Sequence, residues 1–303
     1  MTLNTLPSVC NLHPNILIGM ASDRHAGWIG LVYSMETYSI LKNDVTVPII
    51  ANIPHSSTFI PPEIRNSLLI SDEELERELL LLTDRYVDEL FSSVHEIGGV
   101  AVRYNISRMV LDPERFEKDE EEVMSKKGMG VIYTKTSDGK DLRPPVSANE
   151  REQLLETFYR PYHRAMEQEF DTLIEKFGRC LIIDCHSFSS TPLLFELDQY
   201  PVRLDICIGT DKFHTPLPLR EAVDQFFNRV HLVIALNKPY AGTYVPSKYL
   251  EKKDARVSSI MIEINRKLYM DEKTDEKLIS FEDVRNKMSD LIHSVVMPHL
   301  IYR

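Results

Sequence analysis

Cys180-Leu181-Ile182-Ile183-Asp184-Cys185-His186-Ser187-Phe188 is the stretch on which the reading of this chain turns. It opens as an uninterrupted apolar run, as a strand buried on both faces requires, and then breaks into polar residues at its C-terminal end. In an open α/β sheet the ligand crevice lies beyond that end, so His186 is delivered where chemistry is done. Side chains alternate along a strand, which puts Asp184 and His186 on one face and Cys185 on the other. A Cys-His nucleophile pair is therefore disfavoured. Two readings of His186 stand: a metal-bound or general-base histidine, and a histidine that caps the end of a core strand.

Working outward, a second apolar strand from Val45 to Ile53 ends in the same way, in Pro54-His55-Ser56-Ser57. Ser71 and Glu74 form a capping box that opens a helix expected to run to the Gly98-Gly99 stop. Leu80, Val87, Phe91 and Val94 make its apolar stripe, and Asp84 falls on that stripe. A buried carboxylate needs a cation, either Arg85 or another arginine, or a metal. In the last expected strand, Val257 to Arg266, Glu263 interrupts an apolar run in the same manner. Two histidines and one carboxylate (His55, His186, Asp84) around an open position, with Glu263 to move protons, is the ligand set of a hydrolytic zinc site.

The other elements complete an alternation. Val100 to Tyr104 and Met109 to Leu111 read as strands, with Arg103, Arg108 and Arg115 around them. Residues 112–145 lose all periodicity, which fits a solvated charged surface or a lid. Ser147 and Glu150 open a helix that ends at Gly178 and should kink at Pro161. Asp205 to Gly209 and His231 to Asn237 read as strands around a helix from Leu219 to Val230, and Phe281 to Leu300 as a terminal helix. Strands alternating with helices predict a three-layer α/β/α domain over 45–303 with a mostly parallel or mixed central sheet. Residues 1–44 read as an N-terminal extension, with a strand or two around Gly30 to Ser39.

Composition narrows the function classes. The 303 residues are 43% hydrophobic and 27% charged, with a net charge of -11. That describes an ordinary globular protein, and it argues against nucleic acid or an anionic membrane surface as a partner, since both call for a basic face. Cys10, Cys180, Cys185 and Cys207 contain no CxxC pair and suit the reduced core of a cytoplasmic protein. The apolar segment Ile16 to Met20 is too short for a membrane span and lacks a signal peptide's basic flank. Association into a homo-oligomer is left open.

Several blocks, in order, resemble the N-formylglutamate amidohydrolases, which are related in fold to the zinc carboxypeptidases and aspartoacylases. They are Pro54-His-Ser-Ser57, Thr83-Asp-Arg-Tyr-Val-Asp-Glu-Leu90, Asn105-Ile-Ser-Arg108, Pro161-Tyr-His163, Ile183-Asp-Cys-His-Ser187, Asn237-Lys-Pro-Tyr240 and Ile262-Glu-Ile-Asn-Arg-Lys-Leu-Tyr269. The resemblance spans roughly residues 45 to 300. It implies a phosphorylase/hydrolase-like, zinc exopeptidase-like fold and hydrolysis of a small N-acyl amino acid, N-formyl-L-glutamate first. By position His55, Asp84 and His186 match ligands of Zn2+ and Glu263 the catalytic glutamate. Arg108 would share oxyanion charge or clamp a substrate carboxylate, with Arg115, Asn237 and Tyr240 in the substrate pocket. Three positions depart from the family: Ser57 stands for glycine, Gly242-Thr243 for Gly-Gly, and Glu114 for asparagine. Two further readings are a catalytically inactive binding or regulatory protein on the same scaffold, and a metal-free domain whose buried acids pair with arginines.

Overall fold

The computed structural model describes residues 36–301, together with the backbone of two short paired strands, β1 (Leu17–Ile18) and β2 (Tyr33–Ser34). The rest of the N-terminal extension lies outside the described residues. Seven strands build the main sheet: β3 (Tyr38–Lys42), β4 (Ile49–Ile53), β5 (Val100–Tyr104), β6 (Cys180–Phe188), β7 (Ile206–Gly209), β8 (Ile234–Leu236) and β9 (Val257–Asn265). Their order is β3-β5-β4-β6-β9-β7-β8. The four central strands are parallel, β3 is antiparallel to β5, and β7 is antiparallel to β9. The mixed three-layer α/β architecture expected from the alternation is thus present. Tyr38–Lys42, read as part of the extension, is the edge strand of this sheet.

Alternation along the strands divides the interior in two. Ile49, Ala51, Leu181, Ile183, Cys185, Ile260, Ile262 and Ile264 point to a core covered by the Leu217–Arg229 and Phe281–Leu291 helices. Ile50, Cys180 and Ile182 point to the other core, under the Arg160–Phe177 helix. Asp184, His186 and Glu263 keep the parity of this second face. In the β6–β9 register His186 stands opposite Glu263, so both leave the same end of the sheet on the same side. Cys185 is turned away from His186 as expected, and Cys180, Cys185 and Cys207 are free and buried.

Two expectations need correction. The helix from Ser71 does not reach Gly98: it spans Asp72–Leu82, and short helices Val87–Leu90 and Ser93–Glu96 follow. Thr83 is extended and Tyr86 is left-handed at φ 65°, because the Asp84 amide leaves the helical ladder to donate to the His55 carbonyl at 2.9 Å. Met109–Leu111 forms a turn rather than a strand; its side chains are apolar because they are buried between two cores, not because they sit in a ladder. Just before Pro161, where the helical ladder loses a donor, the helix widens into a π-turn over Leu155–Tyr159 and then continues to Phe177, capped by Gly178 at φ 73°.

Residues 112–145 are irregular but anchored. A 3-10 turn at Val123–Lys127 and bridges Met129–Tyr133 and Lys135–Asp141 fold them onto the Asp72–Leu82 helix around Met124, Met129, Tyr133 and Leu142. Among the described residues no helix is long and apolar enough to cross a membrane. At the other side of the site, Gly209 permits a close approach. A Cβ there would lie 2.1 Å from the Gly242 carbonyl, so only glycine lets the Asn237–Gly242 turn settle against β7.

Candidate active site

The end of β4 delivers His55, the helix break delivers Asp84, and β6 and β9 deliver His186 and Glu263. The sheet and one backbone hydrogen bond thus bring together four residues that the sequence could only place separately. The rings of His55 and His186 lie 5.1 Å apart. All four side chains are buried. Oδ2 of Asp84 is 3.2 Å from His186 Nδ1 and 3.6 Å from His55 Nδ1, so it faces the same edge of both rings.

The far edges of the rings are occupied by acceptors. His55 Nε2 donates to Asp112 Oδ1 at 2.8 Å. His186 Nε2 lies 3.0 Å from Asp184 Oδ1 and 3.0 Å from Glu114 Oε2. With each Nε2 held by carboxylates, Nδ1 is the nitrogen left to bind a cation, and both Nδ1 atoms face the same carboxylate oxygen. His55 Nδ1 is buried with no hydrogen-bond partner. His55, Glu114 and His186 also offer ligand atoms within 4.8 Å of one another, a grouping that could hold a metal ion.

Further side chains fix this arrangement. Asp84 Oδ1 accepts from Arg266 Nη2 at 2.9 Å and from the Ser187 hydroxyl at 3.3 Å. The cation expected for Asp84 is therefore Arg266, while Arg85 pairs with Asp275. The Ser187 hydroxyl also accepts from Arg266 Nε at 3.2 Å and so links the two partners. Asp112 accepts from Arg108 Nη2 at 2.7 Å and from the Tyr133 hydroxyl at 2.6 Å. Asp184 accepts from Asn52 Nδ2 and from the Tyr244 amide, each at 2.8 Å.

The electrostatics follow from burial among many acids. Burial opposes ionisation of Asp84, but the neighbouring His186 and His55 rings and the Arg266 charge outweigh it and hold the carboxyl well below its usual range. Burial likewise opposes protonation of His186, and Glu114, Asp184 and Asp84 override it and raise the ring well above its ordinary value. Glu263 behaves differently. Burial pushes it up to about 8 against the pull of His186, and its Oε2 has no hydrogen-bond partner.

The residues assigned to substrate are less uniform. Arg108 is engaged by Asp112 and Tyr133, whereas Arg115 Nε is buried without a hydrogen bond, 3.5 Å from Asp112. Asn237 spends its side chain on Thr210, through bonds of 2.9 Å in each direction. Tyr240 donates to Glu196 at 2.5 Å. Asp112, Asp184 and Arg266 contact His55, His186 and Asp84, and the sequence reading does not assign them to the site. Asp184 carried a signal in sharing a strand face with His186, and Arg266 in lying three residues past Glu263.

A family model of the N-formylglutamate amidohydrolases matches residues 47–270. The chain belongs to this family. The N-formylglutamate deformylase of Pseudomonas aeruginosa is 27% identical over 238 residues, 75% of this chain and 83% of the relative. That of Pseudomonas putida is 28% identical over 154 residues, 50% of this chain and 55% of the relative. Among solved structures, an N-formylglutamate amidohydrolase from Ralstonia eutropha JMP134 shares the fold with a TM-score of 0.75 at 21% identity, covering 88% of this chain and 98% of its own. Glu114, one of the three expected departures from the family pattern, lies 3.0 Å from His186 Nε2 and accepts from Asn52 Nδ2 at 2.5 Å.

Proposed function

We propose that this chain is a zinc-dependent amidohydrolase that cleaves the formyl amide of N-formyl-L-glutamate, releasing formate and L-glutamate. The observation that carries the reading is the convergence of His55 Nδ1, His186 Nδ1 and Asp84 Oδ2, with 3.2 and 3.6 Å from the oxygen to the nitrogens. Ligand atoms about 2.0–2.1 Å from a tetrahedral zinc stand roughly 3.3 Å from one another, so the spacing fits a shared cation. The orphaned His55 Nδ1 supports the same reading, because a buried acceptor without a partner is costly unless something fills it.

A zinc ion held there would polarise the formyl carbonyl and acidify a water molecule. The protein supplies the rest. Asp112 and Asp184 keep the Nε2 protons in place and so fix which edge of each ring faces inward. Arg266 and Ser187 hold one oxygen of Asp84 and leave the other free. Glu263, beside His186 in the sheet, takes the proton of the attacking water and returns it to the leaving amine. Arg115 is the cation for the substrate α-carboxylate, while Arg108 positions Asp112. The names of the two Pseudomonas relatives support the choice of N-formyl-L-glutamate.

The test is release of L-glutamate from N-formyl-L-glutamate by the purified protein, before and after chelation and after zinc is restored. Activity that disappears on chelation and returns with zinc is expected. Turnover that survives complete metal removal sinks the metal-dependent reading, and a metal-replete protein that cleaves no N-formyl amino acid sinks the assigned reaction.

A further inference from the structure

Beyond Glu263, on the β7 side of the site, a buried cation has donors to spare. Because β7 runs antiparallel to β9, its entry lies beside the exit of β9: Cys207 stands opposite Glu263, and Asn265 bonds the carbonyls of Asp205 and Leu204, each at 2.9 Å. Arg203, just before β7, is only 5% exposed. Its Nη2 alone is used, donating to a Glu196 oxygen and to the Asp198 carbonyl. Nε and Nη1 are buried with no hydrogen-bond partner among the described residues. The other Glu196 oxygen accepts from the Tyr240 hydroxyl, and the Tyr240 ring meets Phe188, at the end of β6, edge-on with centroids 6.0 Å apart.

A guanidinium with two buried, unused donors is an incomplete site, since desolvated charged donors are rarely left unmade. The other arginines near the reacting centre are differently committed. Arg266 has Nε on Ser187, Nη1 on Leu81 and Nη2 on Asp84. Arg108 holds Asp112, and Arg115 lies nearer the rim, with 24% of its side chain exposed. Strand order puts Arg108 and Arg115 beyond β4 and Arg203 beyond β9, with the histidines between them.

We propose that Arg203 is the receptor for the side-chain carboxylate of the substrate, held in register by Glu196 and Tyr240; this rests on reading the site as an N-formyl amino acid amidohydrolase. The substrate branches three ways at its Cα. Its formamide goes to the histidines and Glu263, its α-carboxylate to the outer Arg115, and the carboxylate at the tip of its side chain to the enclosed Arg203. Specificity for an acidic amino acid follows, because an amide offers one neutral acceptor oxygen, and an N–H₂ that cannot accept, in place of two charged oxygens, and a methyl group offers no acceptor.

The readout is the ratio of kcat/KM for N-formyl-L-glutamate to that for N-formyl-L-glutamine, measured on the metal-replete enzyme. Arg203→Met lowers this ratio on the order of 10- to 100-fold, the worth of one or two charge-assisted hydrogen bonds, and Arg203→Lys lowers it less. Because methionine strands the Glu196 charge, the double variant Arg203→Met/Glu196→Gln removes both partners and tests the same ratio in a neutral pocket. The unsubstituted enzyme provides a measurement that needs no folded variant: inhibition by L-glutamate at least tenfold stronger than by L-glutamine. A ratio that stays constant while both substrates lose rate together, or equal inhibition by the two products, overturns the assignment and leaves Arg203 a structural residue. Should the protein cleave no N-formyl amino acid, the assigned reaction fails; calorimetric binding of L-glutamate that weakens in Arg203→Lys would still support the receptor, and its absence overturns it.

Discussion

Asp84 Oδ1 and Arg266 Nη2 lie 2.9 Å apart and join two parts of the chain separated by 182 residues. Both side chains are almost wholly buried. The pair holds one oxygen of the carboxylate so that the other faces the two histidines. Arg266→Met should strand a buried charge and destabilise the metal-free protein by about 3–5 kcal/mol. Urea denaturation in the presence of a chelator measures it. A loss below about 1 kcal/mol, the range of an exposed pair, would show that water reaches the cluster freely.

Elemental analysis of the purified protein should find about one zinc per chain, completed by a water or substrate oxygen. His186→Ala should lower occupancy first and activity as a consequence. Two conservative variants then decide the third ligand. Asp84→Asn is expected to lose metal and Glu114→Gln to keep it, and the reverse result would transfer the role to Glu114.

Glu263→Gln keeps the volume of the side chain and removes its basicity. Zinc content and the folded state should be retained while kcat falls ~10²–10⁴-fold, the usual worth of a general acid-base residue. Near-normal turnover would move proton transfer to another group.

His163 provides a pH prediction away from the proposed ligands. Its Nε2 is 2.8 Å from the Pro113 carbonyl and its Nδ1 3.0 Å from the Tyr244 hydroxyl. Burial pushes the ring down to about 4, against the opposing pull of the Pro113 carbonyl. The unfolded chain, with an ordinary histidine near ~6.5, then binds more protons between those two values. This contribution is fully present above about pH 6.5 and is lost as pH falls toward 4, amounting to about 3 kcal/mol. Denaturation at pH 7 and pH 4.5 should therefore show a smaller acid loss for His163→Gln than for the unsubstituted protein. Equal losses would place the titrating group elsewhere.

Polar residues at the ends of apolar runs made much of the site legible in advance. His55, His186 and Glu263 stood out because each follows or interrupts a stretch that can only be core. Asp84 was visible as a charge on an apolar stripe, although the long helix assumed around it does not exist. The apolar stripe runs at helical spacing through Asp84-Arg-Tyr-Val, but these residues have little helix preference of their own, and the Asp84 amide bonds the His55 carbonyl instead. Arg203, Glu196 and Asp112 lie in irregular segments, where periodicity carries no information about facing direction. Asp112 meets His55 only because the 112–145 segment folds back, and Glu196 meets Arg203 and Tyr240 only through loop contacts.

The position of β6 between β4 and β9 also bears on how the protein can assemble. Asn52 and Asp184 on one side are 132 residues apart, and β9 on the other side arrives late in synthesis. Pairing across such intervals raises contact order and slows folding. Until β9 docks, β6 presents an apolar, unpaired edge of the kind that recruits other chains. A polypeptide arrested before Val257 would carry both histidines yet lack Glu263 and Arg266, leaving Asp84 without its counter-charge. Early termination would then cost the proposed chemistry and resistance to aggregation together, because one strand carries Glu263, the proposed proton-transfer group, and shields the sticky edge.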